Sequence, residues 1–171
     1  IATAGDVKAA GTINTTNTAM TLGDVTISAA DQALVLDTHT GGGILTIASI
    51  SGIAGDNDED ITLISGTGAT SVTGNIGTDI GTLTLQENAV SSTGGVTFAG
   101  SVTATTLNTY GRGYDVSLNG GGTITNDTSF LNTGSVTLGN GAGDVLTFIG
   151  GLNTTGAASN PATVNLAGTI N

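Results

Sequence analysis

One pattern constrains this chain more than any other: a short apolar–Thr–apolar triplet that returns along nearly its whole length. Val25-Thr26-Ile27, Leu45-Thr46-Ile47, Ile61-Thr62-Leu63, Leu83-Thr84-Leu85, Val96-Thr97-Phe98, Val136-Thr137-Leu138 and Leu146-Thr147-Phe148 all carry it. Successive side chains of a strand point to opposite faces, so each triplet buries its two apolar residues and leaves Thr in water. Thr is β-branched, which suits the strand, and polar, which suits the outward face. No stretch of the chain holds an apolar 3.6-residue period, and 29 glycines weigh further against helix. The expected fold class is all-β.

Glycine follows many of these strands, and then one more apolar residue. Val96-Thr97-Phe98-Ala99-Gly100-Ser101-Val102 has this form, as do Leu146 to Leu152 through Gly150-Gly151 and Val164 to Ile170 through Gly168. Val116-Ser117-Leu118 reaches Ile124 through Gly120 to Gly122 in the same way. A glycine there lets the backbone turn sharply between two short strands, which is what a corner in a coil requires. Strand openings at Val7, Val25, Leu45, Leu63, Leu83, Val116, Val136, Leu146 and Val164 are often 18 or 20 residues apart, with irregular steps near Val96 and Leu146. Self-similarity at that period marks a solenoid, whereas hairpin-built sandwiches turn every 8–12 residues. The expectation is a parallel β-helix of roughly eight coils, about 40 Å long at the ordinary strand spacing.

Composition agrees with a narrow core. Hydrophobic residues make up 37% of the chain, yet the aromatics are only Phe98, Phe130, Phe148, Tyr110 and Tyr114. Thirteen acids against Lys8 and Arg112 give a net charge of −11, which argues against nucleic acid and anionic membrane surfaces as partners. Cysteine is absent, so neither a disulfide frame nor a thiolate metal site is available. No apolar run is long enough for a membrane-spanning helix. Residues 1–171 read as a single solenoid unit. The match between Val7-Lys8-Ala9-Ala10-Gly11-Thr12-Ile13-Asn14 and Val164-Asn165-Leu166-Ala167-Gly168-Thr169-Ile170-Asn171, 157 residues apart, suggests one copy of a longer tandem array.

The text Gly94-Gly95-Val96-Thr97-Phe98-Ala99-Gly100-Ser101-Val102-Thr103-Ala104, then Val116 to Asn126, then Phe130 to Asn140, resembles the β-strand repeats of giant bacterial surface proteins. These are the filamentous-haemagglutinin-like and adhesin-like proteins, and the likeness covers most of the chain. It implies a right-handed β-helical array, secreted or on the cell surface, used for adhesion, matrix or sheath building. It transfers no catalytic or binding residue to a position here.

Four features qualify as candidate sites. Asp56, Asp58, Glu59 and Asp60 form the one charge cluster, and oxygen ligands in a loop suit Ca²⁺. The spacing matches neither an EF-hand nor a calcium β-roll, and adjacent acids alternate in direction, so a solvated acidic loop competes with a metal site. Tyr110, Arg112 and Tyr114 could stack on a sugar, against the plainer reading of tyrosines covering the solenoid's flank. His39 lies alone among threonines and glycines and reads as a loop residue. Thr-x-Thr pairs at 16–18, 38–40, 82–84, 103–105 and 123–125 do not recur at every coil, which argues against a flat ice-binding array. Apart from possible calcium no cofactor is expected, nor is an enzyme. The favoured role is a structural or adhesive repeat stacking end to end with copies of itself. The alternatives are a secreted subunit that polymerises by strand exchange through its terminal segments, and a β-helix that binds or cleaves surface glycans.

Overall fold

The computed structural model describes residues 1–55, 58–77, 79–86, 91–155 and 158–171. Among these there is no helix, and every strand pairing is parallel. The chain winds into a β-solenoid with three sheet faces. The first face stacks Ala2–Thr3, Met20–Ile27, Leu45–Ser51, Thr70–Val72, Val96–Phe98, Val116–Leu118, Ser135–Leu138 and Thr163–Leu166. The second runs through Val7–Ala9, the far halves of Met20–Ile27 and Leu45–Ser51, an isolated bridge at Ile76, then Val102–Ala104, Gly122–Ile124, Val145–Phe148 and Thr169–Ile170. The third holds Gly11–Asn14, Ala33–Asp37, Glu59–Ile64, Ile80–Leu85 and Thr106–Asn108, and the pair Thr128–Ser129 with Leu152–Asn153 continues beyond it.

Each triplet does what alternation requires. On the first face the inward positions form two columns along the axis. One is Met20, Leu45, Thr70, Val96, Val116, Val136 and Val164, and the other is Leu22, Ile47, Val72, Phe98, Leu118, Leu138 and Leu166. Between them Thr21, Thr46, Ser71, Thr97, Ser117, Thr137 and Asn165 form one outward column of polar side chains. The regularity lies at the centres of the triplets, one residue per turn, and not in the Thr-x-Thr pairs. Buried columns of this kind make the core a thin sheet of Val, Ile and Leu between stacked turns, widened locally by Phe98 and by the edge-on pair Phe130–Phe148 at 6.5 Å.

The first column also fixes the number of coils. Its residues follow one another at 25, 25, 26, 20, 20 and 28 positions, which makes about six turns from Met20 to Val164 and not eight. The sequence spacing overcounts because its strand openings belong to different faces: Val25 and Leu146 to the second, Leu63 and Leu83 to the third. The matching terminal segments divide in the same way. Val7 opens the second face and pairs with Val25, whereas Val164 lies on the first and pairs with Val136, so the two segments are not equivalent rungs.

Glycines stack at the corners. A Cβ at Gly94 would fall well inside contact with the Gly68 carbonyl, one at Gly68 would strike the Gly43 carbonyl, and one at Gly43 would lie 2.8 Å from Thr18 O. Consecutive turns approach so closely there that no side chain fits. The inside of the adjacent corner is polar. Thr38 Oγ1 donates to Gly43 O at 2.5 Å, and Ser65 Oγ to Gly68 O at 2.6 Å. Gln86 Oε1 accepts from the N–H groups of Ser65 and Gly66, while its Nε2 donates to Ser65 Oγ and Gly94 O. One turn's side chains thereby satisfy backbone groups that the corner removes from the ladders.

Candidate functional site

The acidic segment enters the strand Glu59–Ile64 at the corner between the second and third faces. Strand alternation separates its acids. Asp58 and Asp60 are exposed, and Glu59 between them is fully buried. Asp60 Oδ1 accepts the Thr82 N–H at 2.8 Å, beside a bulge where Glu59 faces Ile80 but Ile61 faces Leu83. Asp56 lies outside the described residues. The carboxylates of the segment therefore do not converge in the way a loop site made of Asp58, Glu59 and Asp60 needs. Among the described residues no group of three or more His, Cys, Asp or Glu side chains is placed to hold a metal ion.

Glu59 is nevertheless unusual, because neither of its buried oxygens has a hydrogen-bond donor among the described residues. Its carboxylate points to the Cα of Gly52. A Cβ at that position would lie 2.6 Å from Glu59 Oε2 and closer still to the carbonyl oxygen of Asp79, one turn further along. Asp79 adopts a left-handed backbone, φ 69°, and its Oδ1 accepts the Gly55 N–H at 3.1 Å.

The Tyr110–Tyr114 segment splits its two tyrosines between the core and the surface. Tyr114 is wholly buried, its hydroxyl donating to Leu85 O at 3.2 Å and accepting the Tyr110 N–H at 2.8 Å. Burial pushes its phenol up to about 12. Tyr110 remains exposed, and Arg112 is half-buried with Nη1 on the Gly111 carbonyl at 3.3 Å. Residues four apart on an extended chain face the same way, but here the loop folds Tyr114 inward beneath the Tyr110 N–H, so the two rings share no open surface. His39 is exposed in a left-handed turn, φ 68°, its N–H donating to Asp37 Oδ1 at 2.6 Å and its ring beside Thr40 Oγ1.

An open groove of about 450 Å³ runs along the first turns, over Ala2–Ala4, Leu22, Gly23 and Ala48. Its walls are backbone and small apolar side chains, with no titratable group. The sequence reading missed Gln86 and Asn132, two buried amides that bind turn to turn. Amides in a polar-rich sequence look like surface, and only the corner geometry distinguishes them. Comparison with protein-family models, with curated proteins and with solved structures finds no match to this chain.

Proposed function

We propose that the chain is a structural, non-catalytic element of an extracellular or cell-surface fibre, which gains length by adding turns end to end. The observation that carries this reading is the first-face ladder, whose inward columns run from turn to turn with one register over turns of different length. Leu166, on the strand Thr163–Leu166, belongs to the column Phe98–Leu118–Leu138 and is 63% exposed. A parallel ladder of this kind is lengthened by any strand that pairs in register with its outer rung.

The flanks support the same role. They carry outward polar columns and most of a net charge of −11, which keeps rods apart sideways while leaving their ends apolar. A solenoid's stability is close to a sum over neighbouring turns, so length costs no redesign of the core.

Sedimentation of the purified chain over a concentration series tests the reading. End-to-end association is expected to grow with concentration, and Leu166→Lys to weaken it at least about tenfold, the worth of one buried leucine. A monomer at every concentration, or unchanged association in L166K, overturns it.

A further inference from the structure

We infer that Asn140 modifies itself, becoming aspartate or isoaspartate through attack of the Gly141 nitrogen on its side-chain amide, with Asp144 as the base. Asparagine followed by glycine suits this reaction, because glycine puts no side chain in the way of the approaching nitrogen. The sequence holds two such pairs, Asn119-Gly120 and Asn140-Gly141, and both cross the corner between the first and second faces. The structure treats them in opposite ways. At the first pair three residues, Asn119 to Gly121, join Val116–Leu118 to Gly122–Ile124. The Asn119 N–H donates to Phe98 O at 2.9 Å, and a Cβ at Gly120 would collide with the backbone of Gly100 on the preceding turn. That pair is clamped into the stack.

At the second pair six residues, Gly139 to Asp144, join Ser135–Leu138 to Val145–Phe148, and the added length stands clear of the stack. Asn140, Ala142 and Gly143 are exposed, and nothing lies within 4 Å of a Cβ at Gly143. Asp144 reaches back across this loop. Its Oδ2 accepts the Asn140 N–H at 2.7 Å and the Gly141 N–H at 2.8 Å, while its own N–H donates to Gly141 O at 3.2 Å. A base must stand about 2.6–3.2 Å from the atom whose proton it removes, and Asp144 does so at the one nitrogen the reaction uses.

The step needs no reagent but water. As its proton passes to Asp144 Oδ2, the Gly141 nitrogen bonds to Cγ of Asn140, the bond from Cγ to the amide nitrogen breaks, and ammonia leaves with that proton. Water then opens the five-membered succinimide at one of its two carbonyls, giving aspartate or isoaspartate. Neither ladder runs through Asn140: the first-face pairing ends at Leu138 and the second-face pairing resumes at Val145 and Leu146. The Asp144 carbonyl still accepts the Thr169 N–H of the next turn at 2.8 Å. Conversion therefore adds one negative charge to the flank and leaves the stacked strands in place.

The test is peptide mass spectrometry of the whole chain aged in mildly alkaline buffer, folded or in urea, with fragmentation that separates aspartate from isoaspartate. In folded wild type Asn140 is expected to convert at least about tenfold faster than Asn119, whose ladder must open first. In urea the two should convert at similar rates. Asp144→Asn keeps the size of the side chain and should slow Asn140 about tenfold, less than the usual worth of a positioned base because a carboxylate is a weak one. Asn119 in the same samples reports whether the variant has kept its fold, and Asp144→Ser removes the carboxylate a second way should D144N unfold. Equal rates for the two asparagines in the folded chain overturn the inference. So does an Asn140 that survives in the folded chain while it is lost in urea, or a folded D144N that converts Asn140 as fast as wild type.

Discussion

The Tyr114 hydroxyl sits where no water reaches it, tied to Leu85 O on the preceding turn and to the Tyr110 N–H of its own loop. Replacing it by Phe removes both bonds and strands the buried Leu85 carbonyl and the partly buried Tyr110 N–H, so Tyr114→Phe should cost about 1–3 kcal/mol in denaturant unfolding. The same residue sets an alkaline limit. Its phenol titrates near 10 when the chain is unfolded and, pushed up by burial, at about 12 when folded. Between those values the folded state holds the proton that the unfolded state has released, so stability falls as pH rises, by about 1.4 kcal/mol per unit. Unfolding followed from pH 9 to 12 should show that slope in wild type and lose the part due to Tyr114 in Y114F. An equal slope in both assigns it to other groups.

At the scale of the element, the glycine corners carry the sharpest expectation. Gly94 stacks on Gly68 with no room for a methyl group, whereas Gly143 has nothing within 4 Å of where its Cβ would lie. Gly94→Ala should therefore cost on the order of 3 kcal/mol or more, and Gly143→Ala should stay within about 0.5 kcal/mol. Comparable midpoints for the two variants would show that the turns are further apart than described. The triplets made this architecture legible from sequence: all seven place their flanking residues inside, because alternation with Thr leaves a strand one choice of face. The corners at Gly100, Gly120 and Gly168 were legible for the same kind of reason. What spacing could not give was the face to which each strand belongs. Val25 and Leu45 look like successive coils, yet they are the second face of one turn and the first face of the next. The candidate site was less legible still. An acidic run signals ligands, but only the strand placement shows that, of its described acids, Glu59 turns inward while Asp58 and Asp60 stay in water.

At the scale of the whole molecule, the turns are held by the same few contacts repeated along one axis. Inward columns, outward hydroxyls, glycine corners and a polar inner corner recur from turn to turn, while turn length varies between 20 and 28 residues after Met20 without interrupting the first-face ladder. That tolerance is expected of a fold in which each turn contacts only its neighbours, and insertions there become loops on one flank. Such a molecule offers length and a polar outward column along its first face, and the proposed function asks nothing further of it. Electron cryomicroscopy of the native material tests this most directly. Continuous rods one solenoid wide are expected, with strands about 4.8 Å apart along the axis. Discrete particles of about six turns, showing no end-to-end continuity at any concentration, would contradict it.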